Sequence, residues 1–143
     1  MSLLSKNRVL FPTDFSELAT QAQQETLEFV KDPTHLHIVH VLSPLSALEP
    51  GIVWEKINDQ TRRHNVEQTF KTKFNTSEYE RVKFEVLFGK ISQEIVNYSQ
   101  SNNIELIVIP ANGNGSFNPL FLGSVTERVV RHAHCPVYVW RSL

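Results

Sequence analysis

Leu106-Ile107-Val108-Ile109 is an unbroken apolar run in which three of the four residues are β-branched. Such runs are typical of strands that are covered on both faces, and this occurs chiefly in parallel sheets. Parallel strands are joined by crossover connections, which are usually helices. The run therefore predicts a central strand of a parallel sheet, with strands and helices that alternate on either side of it.

Four further apolar runs have the length of strands: residues 9–11, 36–41, 82–86 and 137–140. In the third of these runs, Val82, Phe84 and Val86 alternate with charged residues, which predicts a strand with one wetter face near an edge of the sheet. Between the runs, apolar residues recur at helical spacing. This alternation predicts an α/β fold with an open five-stranded parallel sheet and helices on both faces.

Four helices are predicted between these strands. The first covers residues 18–30, with Ser16 or Asp14 as its N-cap, because both residue types commonly cap helices. A second, with a weaker apolar stripe, extends from about residue 53 to residue 74. Ser92 is the predicted cap of a third helix, and Ser124 opens the fourth.

Composition places the chain among ordinary soluble proteins. Hydrophobic residues make up 41% and charged residues 20%, and 14 basic against 15 acidic residues leave a net charge of −1. This balance predicts no attraction to nucleic acid or to an anionic membrane. The single cysteine, Cys135, cannot form a disulfide within the chain. We expect one cytoplasmic domain spanning residues 1–143.

Ligands of parallel α/β sheets bind outside the carboxyl ends of the strands, where the strand order reverses. The residues that follow the apolar runs are therefore the candidates for a site: residues 12–14, 41–42, 88–89 and 110–115.

The positions of the glycines exclude two common nucleotide-binding motifs. The first predicted turn, residues 12–16, contains no glycine, so the dinucleotide fingerprint is missing, and Gly89-Lys90 lacks the earlier glycine of a Walker loop. Gly123-Ser124, however, stands directly before a predicted helix, where main-chain N–H groups and the helix dipole favour an anion. An ordinary turn with Ser124 as the N-cap is an equally good interpretation of these two residues.

Neither a metal site nor a catalytic centre is predicted. His35/His37 and His132/His134 would share strand faces, but no Cys or carboxylate completes a tetrahedral set. Cys135 next to Pro136 fits a small buried hydrophobe, and no residue stands out as a general base.

The segment from Pro110 to Val129, which contains Gly113, Gly115 and Gly123, resembles the nucleotide loop of the universal stress protein family. ATP-binding members carry a glycine, two residues, a second glycine, nine residues and then Gly-Ser or Gly-Thr. Here Gly113 is followed by nine residues and then Gly123-Ser124. The opening residues 9–16 and the ending residues 132–137 are also similar to the family. The resemblance implies its adenine-nucleotide alpha-hydrolase-like (Rossmann-like) sheet, with strand order 3-2-1-4-5.

The resemblance also implies a nucleotide site. Asp14 and the main chain of Val41 would contact adenine or ribose, and Asn112 with Gly113 would border the ribose and α-phosphate. The phosphates of ATP or AMP would lie at Gly123 and its successors, with Mg²⁺ or Mn²⁺ bound through them. The full set is Pro12, Thr13, Asp14, Val41, Pro110, Asn112, Gly113, Gly123, Ser124 and Val125.

One residue departs from the family pattern, because Pro110 replaces the first glycine. Proline has no N–H and a fixed φ, so a main-chain contact there would be lost. Three functions remain open. The first is a nucleotide-binding stress-response regulator that acts on a protein partner. The second, which Pro110 favours and Gly123-Ser124 oppose, is a dimeric interaction protein that binds no nucleotide. The third is a slow ATPase.

A homodimer is expected through the last strand, residues 137–140. An unpaired apolar strand at a sheet edge favours pairing with another chain. Tyr138 and Trp140 alternate with Val137 and Val139, which would give one face to the core and the other to the partner.

Overall fold

Strands and helices alternate along the chain in the computed structural model, which describes residues 3–44, 58–112 and 122–142. In chain order the elements are β1 (Val9–Pro12), α1 (Glu17–Val30), a 3-10 turn (Pro33–His35), β2 (Leu36–Leu42), α2 (Asp59–Lys73), α3 (Ser77–Glu80), β3 (Lys83–Phe88), α4 (Ile91–Ser101), β4 (Leu106–Pro110), α5 (Ser124–His132) and β5 (Val137–Trp140).

The five strands form one parallel sheet in the order β3-β2-β1-β4-β5. This confirms the predicted fold class and strand order. β1 lies at the centre, where Leu10 pairs with His37 of β2 and with Ile107 of β4. β3, with its alternating charged residues, lies at one edge as predicted.

Helices cover both faces of the sheet. Successive strand residues point to opposite sides, so both faces carry apolar side chains that must be buried. Phe11 packs on the side of α1 and α2, whereas the adjacent Leu10 packs on the side of α4 and α5, and both are fully buried. Burial of such a side chain stabilises the fold by about 1.5–3 kcal/mol. None of the described helices is long and apolar enough to cross a membrane.

Side-chain caps explain where two helices begin. Ser16 Oγ accepts a hydrogen bond from the Ala19 N–H (3.1 Å), which confirms Ser16 as the N-cap of α1. Asn58 has an extended backbone, and its Oδ1 accepts from the Thr61 N–H (2.8 Å), so α2 begins at Asp59. The predicted continuous helix from about residue 53 to residue 74 is therefore wrong, because Asn58 interrupts it. Residues 53–57 lie outside the described part.

The predicted cap of the helix after β3 is also wrong. α4 begins at Ile91 with Lys90 as its N-cap, so Ser92 lies inside the first turn. Ser92 is buried in that turn, where it packs inside the fold and does not precede the first helical residue as a cap would.

The topology leaves an opening at the carboxyl ends of two central strands. β1 is followed in the chain by β2 on one side, whereas β4 lies on its other side, so the strand order reverses between β1 and β4. Pairing between these strands ends at Leu10 and Ile107. The ends of β1 and β4 therefore separate and border a crevice.

Candidate functional site

A cavity of about 520 Å³ occupies this crevice. Nine of the ten residues predicted from the sequence line it: Pro12, Thr13, Asp14, Val41, Pro110, Asn112, Gly123, Ser124 and Val125. The tenth, Gly113, lies outside the described residues. The structure thus brings together segments that are separated by more than a hundred positions in the chain.

The turn after β1 forms one polar wall of the cavity. The Phe15 N–H donates to Thr13 Oγ1 (3.0 Å), and the Ser16 N–H donates to Asp14 Oδ1 (2.9 Å). Phe15 adopts a φ of 62°, in the left-handed region that bulky residues rarely enter. These contacts leave Asp14 exposed at the cavity, and they brace the turn rather than cap α1, which is the role of Ser16.

The N-terminus of α5 forms a second polar wall of the cavity, made of main-chain N–H groups. Gly123 is the N-cap, and its N–H donates to the Ala111 carbonyl oxygen (2.8 Å). Ser124 is the first helical residue, so the interpretation of Ser124 as the N-cap is wrong. No described side chain caps this helix. The amides of its first turn, which have no partner inside a helix, are therefore suited to an anionic ligand.

Pro110 ends β4 at the same wall. The Ala111 N–H donates to the Trp140 carbonyl oxygen (2.8 Å) and thus points towards β5. Because successive residues direct their N–H groups to opposite sides of a strand, the nitrogen of Pro110 faces β1. Pairing between β1 and β4 has already ended at that level. The missing N–H of Pro110 therefore breaks no hydrogen bond of the sheet.

An apolar surface completes the cavity, and sequence reasoning did not assign its residues to the site. Val39 and Ile109 contribute from the strands, and Ile91 and Ile95 from α4. Ile91 and Leu122 are 40% and 37% exposed, so part of their apolar surface is accessible at the cavity. The spacing of four residues between Ile91 and Ile95, just beyond the end of β3, is the signal that could have identified this wall. The other lining residues that were missed are Ser16, Ala19, His40 and Thr126.

Charged groups are sparse among the described lining residues. Asp14 and His40 are the ionisable ones, and no lysine or arginine is among them. An anion at this site would therefore be held by main-chain N–H groups and hydroxyls. Asn112 Oδ1 is enclosed near this wall without a hydrogen-bond partner among the described residues. Within residues 3–44, 58–112 and 122–142, no group of three or more His, Cys, Asp or Glu residues could hold a metal ion.

His37 and Cys135 lie outside the cavity and pack against other residues of the core. His37 Nδ1 lies 2.7 Å from Tyr98 Oη, and burial lowers the pKa of His37. Burial raises the pKa of the half-buried Cys135 thiol, which packs against the core on the α4 and α5 side. A raised pKa disfavours the reactive thiolate.

Known proteins share both the sequence pattern and the fold. The profile of the universal stress protein family matches residues 6–141. Universal stress protein MJ0531 of Methanocaldococcus jannaschii is 29% identical over 136 residues, which cover 92% of this chain and 80% of the relative.

Solved structures agree with this match. Universal stress protein UspA from Lactobacillus plantarum has a TM-score of 0.73 at 25% identity, over 96% of this chain and 99% of that chain. A universal stress protein in complex with cAMP shares the fold at 16% identity and a TM-score of 0.55, over 93% of this chain and 94% of that chain. The family profile spans nearly the whole chain, and the observed strand order is the one that the resemblance implied. This chain therefore belongs to the universal stress protein family.

Proposed function

We propose that this protein binds an adenine nucleotide, ATP or AMP, in the 520 Å³ cavity and acts as a cytoplasmic stress-response regulator formed by one domain of residues 1–143. One observation carries the proposal. The turn after β1, the end of β2 and the N-terminus of α5, which no described side chain caps, converge on one cavity. The cavity therefore combines an apolar surface for a base with main-chain amides for phosphate.

The proposed orientation follows from the chemistry of the two ends. Adenine and ribose lie against Val41 and Asp14, because a base needs an apolar surface and a carboxylate accepts hydrogen bonds from ribose hydroxyls. The phosphates lie at Gly123 and at the first amides of α5, where the helix dipole is positive. Asn112, with Gly113 beyond the described residues, borders the ribose and the α-phosphate.

A divalent cation fits this orientation only as part of the ligand. The described lining residues hold no cluster that could bind a metal ion by itself. We propose that Mg²⁺ or Mn²⁺ enters through the phosphate oxygens, where it would offset charge that no lysine or arginine of the described lining neutralises. The solved universal stress protein in complex with cAMP supports an adenine nucleotide as a ligand of this fold.

Regulation is favoured over hydrolysis. A hydrolase needs a base near the γ-phosphate, and the ionisable groups of the described lining, Asp14 and His40, belong to the turn after β1 and to β2. We place the nucleoside, rather than the terminal phosphate, at those elements. The regulated partner would be another protein, and the net charge of −1 gives no reason to expect nucleic acid or membrane.

A dimeric interaction protein without nucleotide is the second candidate. β5 lies at an edge of the sheet, and Tyr138 is 49% exposed on it. The expectation of one free face is wrong, however, because Val137 packs on the α4 and α5 side and Trp140 packs on the α1 side. A homodimer through residues 137–140 would therefore form along the strand edge.

Native mass spectrometry of the purified 143-residue chain separates the two candidates. We expect a bound mass equal to ATP or AMP, or its uptake when either is added, and calorimetric titration should give a 1:1 complex. A protein that carries no nucleotide and takes up neither would contradict the proposal and favour the interaction protein.

A further inference from the structure

His40 connects β2 to the turn that carries Asp14. Its Nδ1 lies 2.8 Å from the carbonyl oxygen of Thr13. Because a carbonyl oxygen can only accept, Nδ1 carries the proton of this hydrogen bond. The Thr13 N–H in turn donates to the Val39 carbonyl oxygen (2.8 Å). Both main-chain polar groups of Thr13 are thus held by residues of β2.

The ring of His40 also supports the strained residue of the turn. Phe15, whose φ is 62°, places its ring centroid 5.0 Å from that of His40 and 6.4 Å from that of Phe84. Lys73 Nζ donates to the Phe15 carbonyl oxygen (3.0 Å). A left-handed conformation at a bulky residue persists only where its surroundings hold it. His40 is the one of these neighbours that also lines the cavity.

We propose that His40 is a positioning residue, which fixes Asp14 for the nucleoside by holding the Thr13 carbonyl oxygen with its Nδ1–H. This inference rests on the proposed nucleotide function, but its structural half can be tested without a ligand. The Phe15 and Ser16 amides donate to side chains of the same turn and therefore report on its closure.

Two substitutions separate the hydrogen bond from the ring. His40→Phe keeps an aromatic ring beside Phe15 and removes the donor, whereas His40→Asn keeps an N–H donor near the position of Nδ1 and removes the ring. His37→Leu is the matched control, because it removes a histidine hydrogen bond from the same strand, directed at Tyr98 and outside the cavity.

Amide exchange of the free protein is the first measurement. We expect the fastest exchange at Phe15 and Ser16 in His40→Phe, a smaller increase in His40→Asn, which keeps the donor and loses only the ring contact with Phe15, and near wild-type exchange in His37→Leu. The second measurement is calorimetric titration with ATP, adenosine and inorganic tripolyphosphate. Loss of this positioning predicts weaker binding of ATP and adenosine to His40→Phe, by at most the roughly 2- to 13-fold that one hydrogen bond contributes. Tripolyphosphate, which lacks the nucleoside, should bind as it does to the wild type.

The possible results are distinct. Wild-type exchange and affinity in His40→Phe would overturn the inference, and so would a defect in His40→Asn that equals or exceeds the defect in His40→Phe, which would assign the effect to the ring. Equal weakening of tripolyphosphate would also overturn it, because the change would then be global. A wild type that binds neither ATP nor adenosine would overturn the proposed function and the role towards nucleotide, while faster exchange in His40→Phe would still support the hold on the turn.

Discussion

Thr126 Oγ1 donates a hydrogen bond of 2.7 Å to the carbonyl oxygen of Pro110, and the Thr126 side chain is buried. This bond joins the first turn of α5 to the end of β4. It therefore sets the position of the Gly123 and Ser124 amides relative to the sheet. An anion bound at the helix would depend on this fixed position.

Thr126→Val should lower stability and weaken ATP binding together. Valine has nearly the same shape but leaves the Pro110 carbonyl oxygen without this donor, and a buried unsatisfied group costs about 1–3 kcal/mol. Urea unfolding would measure the loss of stability, and calorimetry the loss of affinity. Thr126→Ser retains the hydroxyl and serves as the control. Equal stability of the valine variant and the wild type would show that this hydrogen bond does not anchor α5.

Ser124→Ala and Gly123→Val should weaken ATP, with the larger effect in Gly123→Val. A charge-assisted hydrogen bond is worth about 1.5–3 kcal/mol, so loss of the Ser124 hydroxyl should reduce affinity at least several-fold. Gly123 has a φ of −62°, which valine can adopt, so this substitution tests the space beside the phosphate rather than backbone strain. Unchanged ATP affinity in both variants, measured by calorimetry, would remove the phosphate from this helix.

Pro110→Gly should increase ATP affinity modestly over a wild type that already binds. The nitrogen of Pro110 faces the crevice, so glycine would supply one main-chain N–H to the ligand without altering the sheet. One such bond contributes about 0.5–1.5 kcal/mol, a factor of roughly two to thirteen in affinity. A stiffer loop entry in the wild type offsets part of this gain. A wild type with no detectable binding, rescued by glycine, would show that proline closes the site.

Local sequence patterns were sufficient for the sheet. The runs around Leu106 and Val137 are apolar enough to indicate strands by themselves, and the resemblance supplied the strand order. Helix starts were less accessible, because polar residues such as Asn58 and Ser92 can serve equally well as caps or as positions within a helix. Which of them caps a helix is decided by packing that lies outside the local window.

The site was predictable where it follows strand ends, and less so where distant residues meet. The contacts of His40 with Thr13 and of Thr126 with Pro110 join residues 27 and 16 positions apart. Each is a side chain bonded to a main-chain carbonyl, and such a pair leaves no periodic signal. Only the folded arrangement of β1, β2 and β4 reveals them.

The buried pair of His37 and Tyr98 predicts that stability falls on both sides of neutral pH. Burial, assisted by Lys83 and Arg8, lowers the pKa of His37 below its ordinary value of 6.5. Below pH 6.5 the unfolded chain therefore binds a proton that the folded chain refuses, and stability declines as the pH falls. Urea midpoints at pH 7.5 and pH 5 would measure this decline. It should be smaller in His37→Gln, and an equal decline in that variant would exclude His37 as its source.

At alkaline pH, stability should decline as the pH rises, and the group responsible is Tyr98, the partner of His37. Burial, with a contribution from Glu85, raises the pKa of Tyr98 from 10.0 to about 12. Between these values the unfolded chain releases a proton that the folded chain retains, so stability declines as the pH rises. Tyr98→Phe should reduce the decline, and the remainder is expected from Tyr79, whose pKa burial also raises. Urea midpoints that are constant from pH 10 to pH 12 would contradict this assignment.

Light scattering should report a homodimer, with about twice the chain mass of 16.4 kDa. The Ile107 N–H donates to the Pro136 carbonyl oxygen, and the Ala111 N–H donates to that of Trp140. In a parallel ladder this register directs the main-chain groups of Tyr138 and Trp140 towards β4. The N–H of Val139 therefore faces the open edge, where a second chain would pair.

Val139→Pro tests this edge without disturbing the strand pairing inside the chain. Proline is tolerated at edge positions whose N–H faces outwards, and the residue before it is extended, as Tyr138 already is. We expect a species of about 16.4 kDa with an unchanged circular dichroism spectrum. Glu25→Gln is a suitable control, because it alters the carboxylate that accepts from Trp140 Nε1 on the α1 side and leaves the edge intact. A wild-type monomer, or a Val139→Pro dimer, would show that residues 137–140 do not form the interface.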